Sequence, residues 1–245
     1  MSSAADAKSL QRLRKQAPDR RGRILDEGER LFAEHGYHGA ALAGIARAAG
    51  LGNAGLIHHF PDKARLYGAV LDRVAADLDA RLAAALARAG APHARLSAFV
   101  DVQVAWACER PLACRLIQRE LIDNRERIAT ARMLPLARFV ATGREIVAQA
   151  QAAGLVTAGP ADAVLSLIIG ALAYGAIVRP TFAQMLRARV LKDDRAWLTT
   201  LGRQLMALLA PQAASARSQG GTGPKRRARK SMKARTLAGG RRSGG

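Results

Sequence analysis

Residues 32–63 read FAEHGYHGAALAGIARAAGLGNAGLIHHFPDK, and no other stretch restricts the possible folds as tightly. An apolar stripe through Ile24, Leu25, Gly28, Leu31 and Phe32 closes just before Gly36. A second, shorter stripe of Leu42, Ile45, Ala46 and Ala49 is followed directly by Gly50. Glycine beyond the last residue of an apolar helical stripe is where a left-handed C-terminal residue is expected. The spacing therefore predicts the end of one helix, a short second helix, an Ala-Gly-Leu turn, and a third short helix over 53–59. Phe60 is an apolar plug, Pro61-Asp62 open a fourth helix, and Asp62 suits its N-cap. Pro18 suits the first position of the first helix. Two short helices across a tight turn, at about 41–60, make the unit that presents a helix to the major groove of DNA.

The rest of the chain reads as helix too. It is rich in Ala, Leu, Arg and Val, only 4% aromatic, and has no alternating Val/Ile/Thr runs bounded by turns. An all-α fold follows, with an N-terminal three-helix head and a larger C-terminal helical domain. A length of 245 residues suits two such units with tails. The expected division is a basic flexible arm at 1–17, the head at 18–68, the larger domain at 69–211 and a tail at 212–245. Leu66, Val70, Val74, Leu78, Leu82 and Leu86 recur every four residues and predict one long helix over 63–89. Further helices are expected at 93–109, 111–123, 127–153 (bent at Pro135), 160–178 and 182–210. Pro180 should separate the last two, and Lys192-Asp193-Asp194 should interrupt the last.

The formal net charge is +20, but it is unevenly spread. Residues 212–245 carry ten Lys/Arg and no acid, while residues 1–23 carry seven against Asp6 and Asp19. Half of the net charge thus lies in one Gly/Ser/Lys/Arg-rich tail that is expected to be disordered. Such a tail either keeps the protein soluble or attracts polyanions without regard to sequence. Cys108 and Cys114 make neither a disulfide framework nor a metal cluster, and read as core thiols in a reducing compartment. The N-terminus has no apolar signal region, so a cytoplasmic location is expected. The longest apolar run, VLSLIIGALAYGAIV at 164–178, spans roughly 22 Å against a ~30 Å hydrocarbon core. It reads as a helix buried in protein, with no membrane partner. No Ser/His/Asp, HExxH, phosphate-loop or paired-CxxC arrangement occurs, so no enzyme activity, cofactor or metal is expected. Glu109, Glu120, Asp123 and Glu126 interleave with Arg110, Arg115, Arg119, Arg125 and Arg127, the pattern of a salt-bridged helix surface.

The stretch GYHGAALAGIARAAGLGNAGLIHHFPDKARL resembles the DNA-binding head of the TetR/AcrR family of bacterial regulators. Gly-Tyr, Ile-Ala-x-x-Ala-Gly-Leu and His-His-Phe-Pro-Asp-Lys occur in order at the family's spacing. The likeness is detailed over about 20–70 and looser beyond, where Arg-Glu-Leu-Ile-Asp at 119–123 fits the regulatory domain. Retained residues are mostly architectural: Phe32, Gly36, Tyr37, Ile45, Ala46, Ala49, Gly50, Leu51, Leu56 and Phe60. Ala40 and Ala41 stand where the family usually has Thr, which removes a side-chain cap of roughly 1 kcal/mol. Ala43-Gly44 and Gly52 also replace commonly polar residues. Gly55 and Ile57 replace the common Thr and Tyr of the recognition helix.

The DNA-binding candidates are accordingly Arg47, Asn53, Gly55, His58, His59 and Lys63, with Arg20, Arg21 and Arg23 nearby. Asn53 suits an adenine edge, and the resemblance places His59 and Lys63 at phosphate-contacting positions. His59 is nearly as well explained by packing beside Phe60. The resemblance also implies an effector cavity, for which Phe99, Trp106, Met133, Phe139 and Tyr174 are the large side chains available. For each of these, ordinary core packing is the stronger explanation. A dimer seam is expected on helices 160–178 and 195–210, through Ser166, Gly170, Ala173, Leu201 and Leu205. The resulting expectation is a homodimeric, ligand-responsive repressor of double-stranded DNA, with an unknown small-molecule effector. Two rivals remain: a nonspecific nucleic-acid-binding protein relying on its basic tails, and a helical enzyme using the C-terminal cavity.

Overall fold

The stripe from Ile24 to Phe32 forms the inner side of the first helix, α1 (Arg20–Gly39), which buries Ile24, Leu25, Gly28, Phe32 and Ala33. The computed structural model describes residues 19–124, 126 and 134–211. The 1–17 arm, Pro18, Met133 and the 212–245 tail lie outside them. Gly36 turns the chain at φ 73° and ψ 174°, a region essentially closed to residues with a Cβ. The helix-turn-helix follows as α2 (Leu42–Ala48) and α3 (Asn53–His59), with Gly50 between them at φ 71°. Ile45, Ala46, Leu56 and Phe60 close a core shared with Ile24 and Phe32.

The long helix α4 (Lys63–Leu86) begins where Asp62 accepts the Arg65 amide at 2.8 Å. Its repeat of four buries Leu66, Val70, Val74, Leu78 and Leu82. It packs against α1, then against α5 (Pro92–Glu109) and α7 (Ala137–Ala152). Between these two, α6 (Pro111–Asp123) lies along α1. The chain finishes with α8 (Ala161–Leu186), a 3-10 turn at Arg189–Lys192 and α9 (Asp194–Leu209). No strand occurs among the described residues, and the all-α expectation holds.

Three expectations need correcting. Pro180 does not divide two helices, because α8 runs through it to Leu186. Proline forfeits its own amide bond and crowds the carbonyl four residues back, a loss of about 3 kcal/mol in an isolated helix. Here α8 packs on α9 and the 3-10 turn, with Trp197 donating to the Gly175 carbonyl at 2.9 Å just before Pro180. Arg179 donates to the Leu191 carbonyl at 2.9 Å and pairs with Asp194. Residues 182–186 thus belong to α8, and the last helix starts at Asp194, at the interruption expected at Lys192-Asp193-Asp194, with Asp193 accepting the Ala196 amide at 2.6 Å. Pro135 lies in a turn before α7 and does not bend it.

The continuous α8 also alters the length argument. Its 26 residues span about 39 Å, and it is the one described helix long and apolar enough to cross a membrane by length and composition. In the fold, Val164, Leu165, Ile168, Leu172 and Gly175 point into the bundle formed with α5, α7 and α9. Ala163, Ser166, Leu167, Gly170, Tyr174 and Ile177 fall on its other side, mostly exposed.

Candidate nucleic-acid interface

The seven-residue helix α3 has a sharply divided surface. Leu56 points inward at 1% exposure, while Asn53, Ala54, Ile57 and His58 form the outward side and Gly55 and His59 sit at its margins. Asn53 and Ile57 are four residues apart, as are Ala54 and His58, so each pair stands on one line along the helix. Neither short helix has a side-chain N-cap: α2 starts after Ala41 and α3 after Gly52, and both caps are extended backbone. Their amide ends are therefore open toward whatever lies in front of them.

Lys63 is the most constrained of the candidate DNA contacts. Its Nζ donates to the His38 carbonyl at 3.1 Å and lies 5.0 Å from the Tyr37 ring centroid. An ammonium has three donors, so this anchoring leaves capacity for a phosphate while restricting where the charge stands. Arg21 lies over the Phe60 ring at 5.2 Å, and Arg20, Arg23 and Arg47 are exposed. The His58 and His59 rings meet edge to face at 5.5 Å, with His59 half-buried beside Phe60 and His58 outward.

Behind this surface is a polar network that the sequence pattern does not reveal. Phe32 and Tyr37 meet Tyr67 edge-on at 4.8 and 5.0 Å. The Tyr67 hydroxyl donates to Glu120 Oε2 at 2.8 Å, and Asn124 donates to the same oxygen at 2.6 Å. Glu120 is thus buried between α4 and α6 and does not stand on an open helix surface as expected. Glu109 does belong to that surface, and Arg81 holds its carboxyl below the usual carboxylate range. Glu29 of α1 is also buried, facing Arg73 at 3.1 Å and Arg110 at 3.0 Å. The only sequence hint was a charged residue one position after Gly28 on an otherwise apolar helix side.

The four described effector-pocket candidates do not gather around one cavity. Phe99 and Phe139 stack with centroids 5.2 Å apart. A Cβ on Gly143 would come within 2.6 Å of Phe99 and 2.8 Å of Leu165, so that region is filled. Trp106 packs on α4, donating to Asp77 at 3.1 Å. Tyr174 is 61% exposed on the outer side of α8, and Met133 lies outside the described residues. A shallow groove of about 290 Å³ runs between α5 and α9, lined by Ser97, Asp101, Val104, Thr199, Gly202 and Arg203. Burial pushes the Cys114 thiol up to about 11, the state of an inert core thiol.

Of the seam candidates, Ser166 and Gly170 are exposed and Ala173 is half-buried. Leu201 instead fills the space beside Gly175 within the same chain, and Leu205 is half-buried against the core. The free apolar side chain of α9 is Leu208, 79% exposed.

Residues 24–70 match the family described as bacterial regulatory proteins, tetR family. The chain is 33% identical over 101 residues to the HTH-type transcriptional regulator RutR of Escherichia coli, covering 40% of this chain and 46% of RutR. It is 43% identical over 47 residues to the HTH-type transcriptional repressor AcnR of Corynebacterium efficiens, covering 19% and 25% of the two chains. The matched part thus spans less than half the length of these relatives. The fold is similar to that of a TetR transcriptional regulator from Chloroflexus aurantiacus, with a TM-score of 0.58 and 25% identity over 79% of this chain and 95% of that one.

Proposed function

We propose that this chain, a member of the TetR family of bacterial regulatory proteins by its residues 24–70 and its fold, acts as a homodimeric DNA-binding transcriptional repressor. The observation that carries this reading is α3: a short helix after a glycine turn, with Asn53 and His58 outward and Lys63, Arg47 and Arg21 around it. TetR-family regulators bind DNA as dimers and respond to small-molecule effectors. Two-fold pairing would offer two copies of α3 to a pseudo-palindromic operator. An effector acting through the long helix α4 must prefer one spacing of the heads, and a tenfold change in operator affinity needs about 1.4 kcal/mol of coupling. The division into a head at 18–68 and a ligand and dimerisation region at 69–211 belongs to the same reading. The test is in vitro selection from random duplexes with purified protein. A palindromic consensus is expected, and an unenriched pool would overturn sequence-specific regulation.

Phosphate and base contacts should separate by mutation. Lys63→Ala should weaken binding to the selected operator and to random duplex by similar factors, because its anchored charge addresses the backbone. Asn53→Ala should act mainly on the operator, by about ten- to hundredfold if the bidentate adenine contact forms. Equal losses on both DNAs for both variants would remove Asn53 from the readout.

The ten cations of 212–245 add a sequence-blind contribution. Deleting that segment should leave the fold intact, lower affinity for random duplex and flatten its salt dependence, since fewer counterions are released. The ratio of operator to random affinity should rise. The difference should fade at about 0.5 M salt, where the Debye length is roughly 4 Å. Superimposable curves on random duplex at low salt would show the tail to be a spectator.

A further inference from the structure

We infer that Ile57 reads the C5 methyl group of a thymine in the operator half-site, so that the recognition helix identifies an A·T-containing core by one amide and one apolar contact. This rests on the DNA-binding reading above. Ile57 is 50% exposed, and no other large apolar side chain from α1 to α5 is exposed among the described residues. It does not help hold α3 in place, which Leu56 and Phe60 do from the opposite side. Its neighbours on the outward side are small or polar: Ala54, Gly55 and His58. Ala54 and Gly55 thus leave it room to approach the floor of a groove.

Charge complementarity argues for DNA as the occupant. Cations stand on the elements flanking α3, with Lys63 of α4 fixed over Tyr37, Arg21 of α1 over Phe60, and Arg47 exposed at the end of α2. An apolar side chain on a helix whose neighbouring elements carry positive charge suits a polyanion with an apolar feature between its phosphate rails. In the major groove of B-DNA the thymine methyl is that feature, and apolar side chains are what contact it. Geometry sets the register. Asn53 and Ile57 stand on one line of α3 with Cβ atoms about 5–6 Å apart, and base pairs follow one another at 3.4 Å. The thymine should therefore lie about one or two steps from the adenine addressed by Asn53.

The experiment starts from the operator selected by the full chain. Each thymine of the half-site is replaced in turn by deoxyuridine, symmetrically in both halves, which deletes only the methyl and preserves base pairing. Binding should weaken by about three- to fivefold per half-site at one thymine, the effect of removing one buried methyl from a contact, and stay unchanged at the others. Ile57→Ala should bind the thymine and uracil duplexes equally, at the level of the unaltered protein on the uracil duplex. Asn53→Ala should retain the methyl discrimination. An operator on which no thymine responds would overturn the inference while leaving the DNA-binding reading intact. So would an Ile57→Ala protein that still discriminates. Failure to select any consensus would instead overturn the sequence-specific reading, and this inference with it.

Discussion

Glu29→Ala should destabilise the protein by about 2–4 kcal/mol, seen as a lower urea midpoint at unchanged slope. Glu29 is 7% exposed and accepts from Arg110 through both oxygens at 3.0 Å and from Arg73 at 3.1 Å. Removing it leaves two guanidinium groups facing each other with no charge between them, the costly half of a broken buried pair. The loss stops short of the largest values for such pairs because each arginine keeps a second carboxylate. Arg73 retains Asp26 at 2.7 Å and Arg110 retains Asp77 at 3.1 Å. Asp77 in turn holds Trp106 and Arg81, and Arg81 holds Glu109, so the chain of pairs ties α1 to α4 and α5. A change below about 0.5 kcal/mol, the range of an ordinary surface substitution, would show that the network adds nothing to stability. The α1 end of the network lies within the proposed DNA-binding head. The variant should therefore bind operator less well at temperatures where the unaltered protein is fully folded.

Gly170→Arg should yield a folded monomer whose operator affinity is down by about a hundredfold or more, because a single head gives up the avidity of two linked half-site contacts. Gly170 is exposed and a side chain there would meet nothing within 4 Å in its own chain. The substitution is thus tolerated by the protomer and offensive only to a partner. The surrounding side of α8, with Leu167, Tyr174 and Ile177 at 56%, 61% and 51% exposure, is too apolar for a helix facing water alone. Small residues at 163, 166 and 170 allow a second helix to approach closely, and an arginine in that seam would bury an unpaired charge. Sedimentation and far-ultraviolet circular dichroism test the two halves of the expectation. An undisturbed dimer would place the interface elsewhere.

The candidate site was legible in the sequence to the extent that it depends on neighbours a few residues away. The ends at Gly36 and Gly50, the short helices on either side of the turn, the Asp62 cap and the repeat of four in α4 all depend on backbone geometry within one or two helical turns. The outward placement of His58 follows from the inward placement of Leu56 by helical period, whereas Asn53, three residues before Leu56, is exposed because it opens the helix. Only the tertiary structure decided that Lys63 is anchored on His38 and Tyr37, that Glu29 meets Arg110 across 81 residues, and that Glu120 is buried under Tyr67. It also decided that Pro180 stays inside a helix and that Tyr174 faces outward while Phe99 and Phe139 fill the interior. A helical period says which residues share a side but not which helix that side meets. The ion pairs, the filled cavity and the tolerated proline are all set by that meeting, through packing between segments tens of residues apart.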